Sequence, residues 1–391
     1  MHSENTCSNC GSAQTSVLFE ARNVPVHVCV QYDTAAEARS CARGDIRIVR
    51  CGRCGSIANS AFDPGLVHYS GCYENSLHCS PAFQQFAHSL ALGLVERHSL
   101  HDADIIEIGC GRGEFLELLC GLGLNRGVGF DPGRQEGLPQ ENAAVRFVRD
   151  FYTESYSSLP ARFYVCRHVL EHVPQPWQFL RQLRSIIGDR PEVRLYFEVP
   201  NAARVLRTMS MWDMIYEHCS YFTTGSLARL FAEAGFDVLS ATECFQGQYV
   251  GVEAAPHHSE SGAIPFVSTG KPFEIASQAA AFAANHRSFL DDWRTRMARL
   301  DGRKVVIWGA GAAGVAFLNM IDAGELIEYA VDINPRKHGK FLPGGGKLVV
   351  PPEFLRSYQP DAVIIMNPAY DAEIRRNAAE IGIKAQFLYG R

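Results

Sequence analysis

Basic charge is in short supply in this chain: 37 Lys and Arg stand against 42 Asp and Glu, a formal net charge of -5. A polyanionic partner calls for a basic excess, so no nucleic-acid partner is expected. Apolar runs of spanning length are missing too, and the first residues, Met1, His2 and Ser3, begin neither a basic nor an apolar stretch. No membrane partner is therefore expected, and the expected location is cytoplasmic. Internal repeats of short period are also lacking. Cysteine is not scarce, but its thirteen copies are odd in number and scattered. That argues for reduced thiols over a disulfide framework. A 47% hydrophobic and 20% charged composition describes an ordinary globular protein, and 391 residues exceed the length of one core. Two or three domains are expected, in a monomer.

Four cysteines are spaced differently from the rest. Cys7-x-x-Cys10-Gly11 and Cys51-x-x-Cys54-Gly55 form two knuckles about forty residues apart. Two intervening residues let both sulfurs of a pair reach one ion at about 2.3 Å, and the glycine after each pair permits a tight turn. Four thiolates leave no open coordination position, so the motif predicts structural zinc. A redox pair would need a thioredoxin-like strand and helix around a single motif, whereas the second knuckle follows a short strand at 45–49 and repeats the first. The remaining cysteines, Cys72 among them, show no ligand spacing and read as small buried hydrophobes.

Apolar residues recur at helical spacing over 80–98, and 103–108 is a buried strand by its β-branched run. A glycine loop follows at once: Glu107-Ile108-Gly109-Cys110-Gly111-Arg112-Gly113-Glu114, opening a helix at 115–122. Strand, glycine turn and helix make a nucleotide-binding unit, in which bare backbone lies against the ligand. A carboxylate group of a ligand would be favoured at the helix start. Twenty residues beyond Gly111, a strand ends in Asp131, where a carboxylate can accept from both ribose hydroxyls. A third strand, at 145–151, carries Asp150 at its end, a candidate partner for an adenine amino group.

Three glycines at alternate positions, with an acid two residues before the first, resemble motif I of the class I methyltransferases. The resemblance continues through Arg167 and His168 to His172, where that superfamily closes its donor pocket, and through a fifth strand at 195–201. It implies S-adenosylmethionine as methyl donor, held by Glu107, Gly109, Gly111, Gly113, Asp131, Asp150 and Arg167. With the knuckles, the segment Ile215-Tyr216-Glu217-His218 and a C-terminal α/β domain, the whole chain resembles the zinc-binding sugar C-methyltransferases of deoxysugar biosynthesis. Those relatives methylate C3 of a nucleotide-linked 4-keto-6-deoxy sugar, so the resemblance implies a small-molecule acceptor of that kind.

Carbon methylation beside a ketone requires a base and a partner for the enolate oxygen. Tyr73, His172, Glu217 and His218 match, by motif position, residues lining the relatives' acceptor pocket. Histidine suits proton abstraction near neutral pH, so His172 or His218 is the expected base, with Glu217 to orient a neighbouring imidazole and Tyr73 for the oxyanion. The relatives usually read Tyr-His-Glu-His where this chain has Ile215-Tyr216-Glu217-His218. Their tyrosine falls on Ile215; Tyr216 can replace it only through a local backbone shift.

Periodicity fades from 255 through Ser259 and Gly262, and a long helix follows over 273–300, its alanine-rich face packing between lobes. Lys304 to Gly314 spells strand, Gly309-x-Gly311-x-x-Gly314 turn and helix, with Asp332 at the end of the next strand. Alone, that is a dinucleotide fingerprint. In the sugar methyltransferases the similar domain holds the acceptor's nucleotide, which implicates Gly309, Gly311, Gly314, Asp332, Arg336 and Asn367 in acceptor binding. The expected organisation is α/β throughout: a zinc-binding domain at 1–75, a Rossmann-like methyltransferase core at 76–255, a linker and helix at 256–300, and a Rossmann-like acceptor domain at 301–391. Three other readings compete: O- or N-methylation of another small molecule, an RNA-gripping zinc module, and a nicotinamide enzyme.

Overall fold

A computed structural model describes residues 7, 10, 12–68, 73–135, 137–138, 141, 144–258, 272–321 and 326–390. Cys72 and the linker residues Ser259 and Gly262 lie outside the described residues, as does Gly11. No described helix is long and apolar enough to cross a membrane.

Strands β1 (Thr15–Pro25), β2 (Arg43–Cys51) and β3 (Ile57–Asn59) form an antiparallel N-terminal sheet. In β1 the buried residues come as adjacent pairs, Leu18 with Phe19 and Val24 with Pro25, because irregularities in the β1–β2 register at Val17–Phe19 and Ala21–Val24 interrupt the alternation of one wet and one dry face. The strand expected at 45–49 extends to both sides of that range.

The central sheet has seven strands: β4 (Asp104–Ile108), β5 (Arg126–Phe130), β6 (Val145–Val148), β7 (Phe163–Arg167), β8 (Arg194–Pro200), and, after the short β9 (Ser220–Tyr221), β10 (Phe236–Cys244) and β11 (Tyr249–Pro256). Their order is β10-β11-β8-β7-β4-β5-β6, all running the same way except β11, which is antiparallel to both of its neighbours, β10 and β8. Helices cover both faces. Pro81–His98 buries Phe83, Ala87, Ala91, Leu94 and Val95 at three- and four-residue spacing, with Ser80 capping its start. Each such Leu or Phe, fully buried, contributes about 1.5–3 kcal/mol. Pro176–Ile187 and Thr224–Glu233 pack on the opposite face.

The C-terminal sheet is wholly parallel, β12 (Val305–Trp308), β13 (Ile327–Val331), β14 (Leu348–Val350), β15 (Ala362–Ile365) and β16 (Gln386–Tyr389), in the order β14-β13-β12-β15-β16. Its apolar strands run without alternation because both faces are covered.

The units share a core. The helix Pro272–Ala298 buries Ala279, Phe282, Trp293 and Met297 in one cluster with Phe19 of β1, Trp212 and Phe317. The N-terminal sheet is completed from the methyltransferase core, because β9 pairs antiparallel with β3. That pairing fixes the residues just before it, including His218, against the N-terminal sheet.

Candidate active site

Two cavities lie at the carboxyl ends of the parallel strands, where ligands bind in open α/β sheets. One, of about 510 Å³, is lined by Gly109, Gly111, Asp131, Asp150, Arg167 and His172 among others. The other, of about 290 Å³, lies between the core and the C-terminal sheet and includes His218, Ile215, Gly309, Gly311, Gly314, Asp332 and Asn367.

The first cavity has the form of a cradle for a ligand with an exposed backbone contact. Gly109, Gly111 and Gly113 take φ of 73°, 52° and 91°, the left-handed region that disfavours side chains. A Cβ on Gly111 would meet no protein atom within 4 Å, so that backbone faces open space. Asp131 accepts from Gly111 N and Gly133 N, both at 2.8 Å. Each carboxylate oxygen has a second lone-pair site, which leaves capacity for ribose hydroxyls. Burial raises the Asp131 carboxyl above its ordinary range, opposed by those amides and Arg134.

Two donor residues expected from the motif do not line the cavity. Glu107 is buried behind the glycine loop, and burial pushes its carboxyl up to about 8 against the pull of Arg167. Gly113 caps the helix Glu114–Gly123, where a Cβ would sit 2.3 Å from the Phe147 ring. Both shape the loop from behind. Asp150 lies past the end of β6 and accepts from Tyr156 OH at 2.7 Å. Arg167 donates through Nε and Nη2 to Glu198 Oε1 at 3.0 and 2.7 Å, with its guanidinium 4.2 Å from the Phe115 ring centre. Sequence reading missed Arg134, which braces the loop by donating to Gly111 O at 2.8 Å and covers Phe147 at 3.6 Å. Its only signal was a cation three residues after the ribose acid.

Between the cavities stand two histidines. The His172 and His218 rings lie 4.9 Å apart at 79°, one lining each cavity. His172 Nδ1 lies 3.2 Å from the Glu217 carbonyl. A carbonyl only accepts, so Nδ1 carries the proton and Nε2 the lone pair in the neutral ring. Burial, with help from His172, lowers His218 to about 4, against the opposing pull of Glu171 and Glu217; at neutral pH its ring is uncharged. Tyr73 borders the first cavity, and the segment 73–80 continues from there into the wall of the second.

Two of the expected catalytic residues are placed elsewhere. The Tyr216 ring is core, packed 5.7 Å from Phe62 and over Gly44, with its oxygen accepting from Asp63 N at 2.9 Å. It lines neither cavity, and no backbone shift brings it into the place of Ile215, which does line the second. Glu217 also turns away: its carboxylate accepts from His27 Nδ1 at 2.9 Å and Val28 N at 3.0 Å, pinning the segment that follows β1. The carboxylate beside the two imidazoles is that of Glu171, which sequence reading passed over.

In the C-terminal unit, Asp332 repeats the geometry of Asp131, accepting from Ala310 N at 3.0 Å and Asn334 N at 2.8 Å. Lys337 Nζ, buried, reaches Asp332 Oδ2 at 3.2 Å. Arg336 is held outside the cavity lining by Glu74, its Nε donating at 2.6 Å. Ser80 Oγ bonds Glu373 at 2.7 Å, so the segment 73–80 is tied to the C-terminal unit at both ends.

The four knuckle sulfurs converge: Cys7 to Cys54 and Cys10 to Cys51 are each 3.6 Å apart, and all four lie within 4.8 Å of one another. Tetrahedral coordination at the usual zinc–sulfur length sets sulfurs about 3.8 Å apart. Gly55 takes φ of 74° in the turn after the second pair, and Cys54 N points at Cys51 Sγ, 3.5 Å away. These residues can hold one metal ion.

Residues 83–241 match a family model described as a methyltransferase domain, and residues 274–389 match one described as a C-methyltransferase C-terminal domain. The chain is 28% identical over 304 residues to C-methyltransferase NovU of Streptomyces niveus, covering 73% of this chain and 71% of that protein. Solved structures similar to it include 1,6-didemethyltoxoflavin-N1-methyltransferase of Burkholderia thailandensis, with bound S-adenosylhomocysteine, at TM-score 0.35 and 19% identity over 46% of this chain and 82% of that one. Magnesium protoporphyrin IX methyltransferase of Synechocystis matches at TM-score 0.34 and 18% identity over 45% of this chain and 84% of that one. The chain is a methyltransferase dependent on S-adenosylmethionine, and it resembles the C-methyltransferases through its C-terminal region and its likeness to NovU.

Proposed function

We propose that this S-adenosylmethionine-dependent methyltransferase methylates the carbon next to the ketone of a nucleotide-linked 4-keto-6-deoxy sugar, through an enolate. The observation that carries the reading is the His172–His218 pair, set between a cavity with the donor motif and a second cavity facing the C-terminal unit. A neutral imidazole beside the acceptor is what proton removal from carbon needs, and plain oxygen methylation makes less demand on it. The match to a C-methyltransferase C-terminal domain and the likeness to NovU support the same reading.

Gly109, Gly111, Asp131, Asp150 and Arg167 would hold the donor, which when bound supplies an electrophilic methyl group. His218, on the acceptor side, takes the proton; His172 stands against it, oriented by the Glu217 carbonyl. Tyr73 is the proposed partner of the enolate oxygen. Gly309, Gly311, Gly314, Asp332 and Asn367 would receive the acceptor's nucleotide. Structural zinc on Cys7, Cys10, Cys51 and Cys54 completes the proposal.

The test is exchange in deuterated water. The enzyme with S-adenosylhomocysteine and a panel of nucleoside-diphosphate-linked 4-keto-6-deoxyhexoses should wash deuterium into the position beside the ketone of at least one. Methyl transfer to oxygen or nitrogen without any exchange refutes the reading.

A further inference from the structure

The geometry points to Glu171 as a positioning residue for proton transfer, its buried carboxylate stabilising the imidazolium that forms when the His172–His218 pair takes a proton from the acceptor. This rests on the enolate reading above. Glu171 opens no hydrogen-bonding path of its own to solvent: it is 2% exposed, and its Oε2 accepts no hydrogen bond. A carboxylate oxygen of Glu171 and one ring nitrogen each of His172 and His218 lie within 4.8 Å of one another. Its backbone carbonyl accepts from Cys219 N at 2.9 Å, which locks the turn Leu170–His172 to the segment carrying His218. A buried carboxylate with an unfilled oxygen is costly unless a positive charge arrives beside it, and proton transfer to either imidazole supplies that charge.

The balance is simple. The C–H bond beside the ketone breaks, its electron pair moves into the enolate, and the proton bonds to an imidazole nitrogen. The imidazolium is then flanked by Glu171, while other nearby charges are already paired. Glu198 faces Arg167 and His168, the latter at 3.1 Å from Nε2. His168 Nδ1 approaches Glu171 at 3.7 Å, and Glu217 is bound to His27. Cys166, Cys219 and Tyr221, from the strands packed around the site, are held neutral by burial. Glu171 already faces His168 through Oε1, an imidazole that, against burial, Glu171 and Glu198 together raise to about 8; its Oε2 has no hydrogen bond, and this oxygen is the one that can answer a new charge on the pair.

Glu171→Gln keeps shape and removes the charge. Expected are a kcat lowered at least tenfold, KM for donor and acceptor within about twofold, and the acidic limb of the kcat–pH profile moved to lower pH, because an imidazole without its anion is a weaker base. Glu171→Asp should restore part of the rate and return the limb toward the wild-type position. Calorimetric binding of S-adenosylhomocysteine by each variant establishes that it is folded. An unchanged kcat and limb in Glu171→Gln, with the wild-type enzyme exchanging deuterium as above, overturns this role alone. Wild-type enzyme that exchanges no deuterium on any sugar of the panel overturns the enolate reading, and the role of Glu171 with it.

Discussion

Replacing Gly109 by alanine tests the donor loop at a point where two costs can be separated. The φ of 73° charges an alanine about 1–2 kcal/mol for a left-handed backbone. Independently, its Cβ would lie 2.1 Å from Val169 Cγ2, a clash of the overpacking kind that costs about 1–3 kcal/mol. Together they come to about 2–5 kcal/mol. If the loop escapes by moving, the loss appears in donor binding, and even 2 kcal/mol is about a thirtyfold rise in Kd. Val169→Ala in the same chain removes the clashing methyl and leaves Val169 Cβ at an ordinary 3.4 Å, so the steric part should return while the φ part stays. Gly111→Ala shares the positive φ but has nothing within 4 Å, so Val169→Ala should not help it. Titration calorimetry with S-adenosylhomocysteine reads all four chains. Wild-type affinity in Gly109→Ala, or equal rescue of both glycine variants by Val169→Ala, would refute the loop's assigned geometry.

Other outcomes follow from the same contacts. Burial would raise the Glu198 carboxyl, but Arg167 and His168 hold it down to about 2, from an ordinary 4.5. A depressed carboxylate contributes stability that is full above about pH 4.5 and lost as pH falls toward 2. Glu198→Gln should therefore flatten the fall in urea midpoint between pH 5 and 3 that the wild-type protein shows; an equally steep fall would count against the pair. Glu198→Ala leaves the buried Arg167 guanidinium without its partner, and should cost about 3–5 kcal/mol in urea unfolding. His218→Asn should lower deuterium exchange and kcat by about 10²–10⁴ while leaving S-adenosylhomocysteine affinity near the wild-type value. Metal analysis should find one zinc per chain. Stripping it, or Cys51→Ser, should loosen β2 and β3, and through the β3–β9 pairing should lower kcat more than donor affinity. A metal-free protein with full kcat would disconnect the two.

That Gly109, Gly111 and Asp131 would come together was legible because they sit in a continuous stretch: strand, glycine loop, helix and the acid ending the next strand. The spacing that named Gly109, Gly111 and Asp131 is the spacing of one βαβ unit, and local geometry carries it into space. The knuckles were legible for the same reason, two short turns each presenting two sulfurs. The acceptor half was harder to read, because its side chains come from segments joined only by tertiary packing. Tyr216 shows the limit: one residue from the position the family pattern favours, it is turned by the local backbone into the core over Gly44.

The two Glu-His pairs make the point more sharply. Glu171-His172 and Glu217-His218 are alike in sequence, and adjacency suggests that each carboxylate serves its own histidine. Adjacent residues do not face each other across a peptide, however, and here both pairs are crossed. Glu217 offers its backbone carbonyl to His172 and its carboxylate to His27 and Val28, in the segment after β1. Glu171 offers its carbonyl to the strand after His218 and keeps its carboxylate within reach of both rings. The segment that follows β1 therefore decides which acid faces the imidazoles. His27 and Val28 draw Glu217 out of the site, so removing them should bring a second carboxylate back toward His218. His27→Ala is the direct check: if His27 is needed to hold Glu217 away, the acidic limb of the kcat–pH profile should move upward, opposite to the shift expected for Glu171→Gln. An unmoved limb would mean that the Val28 amide alone is enough to hold Glu217 away.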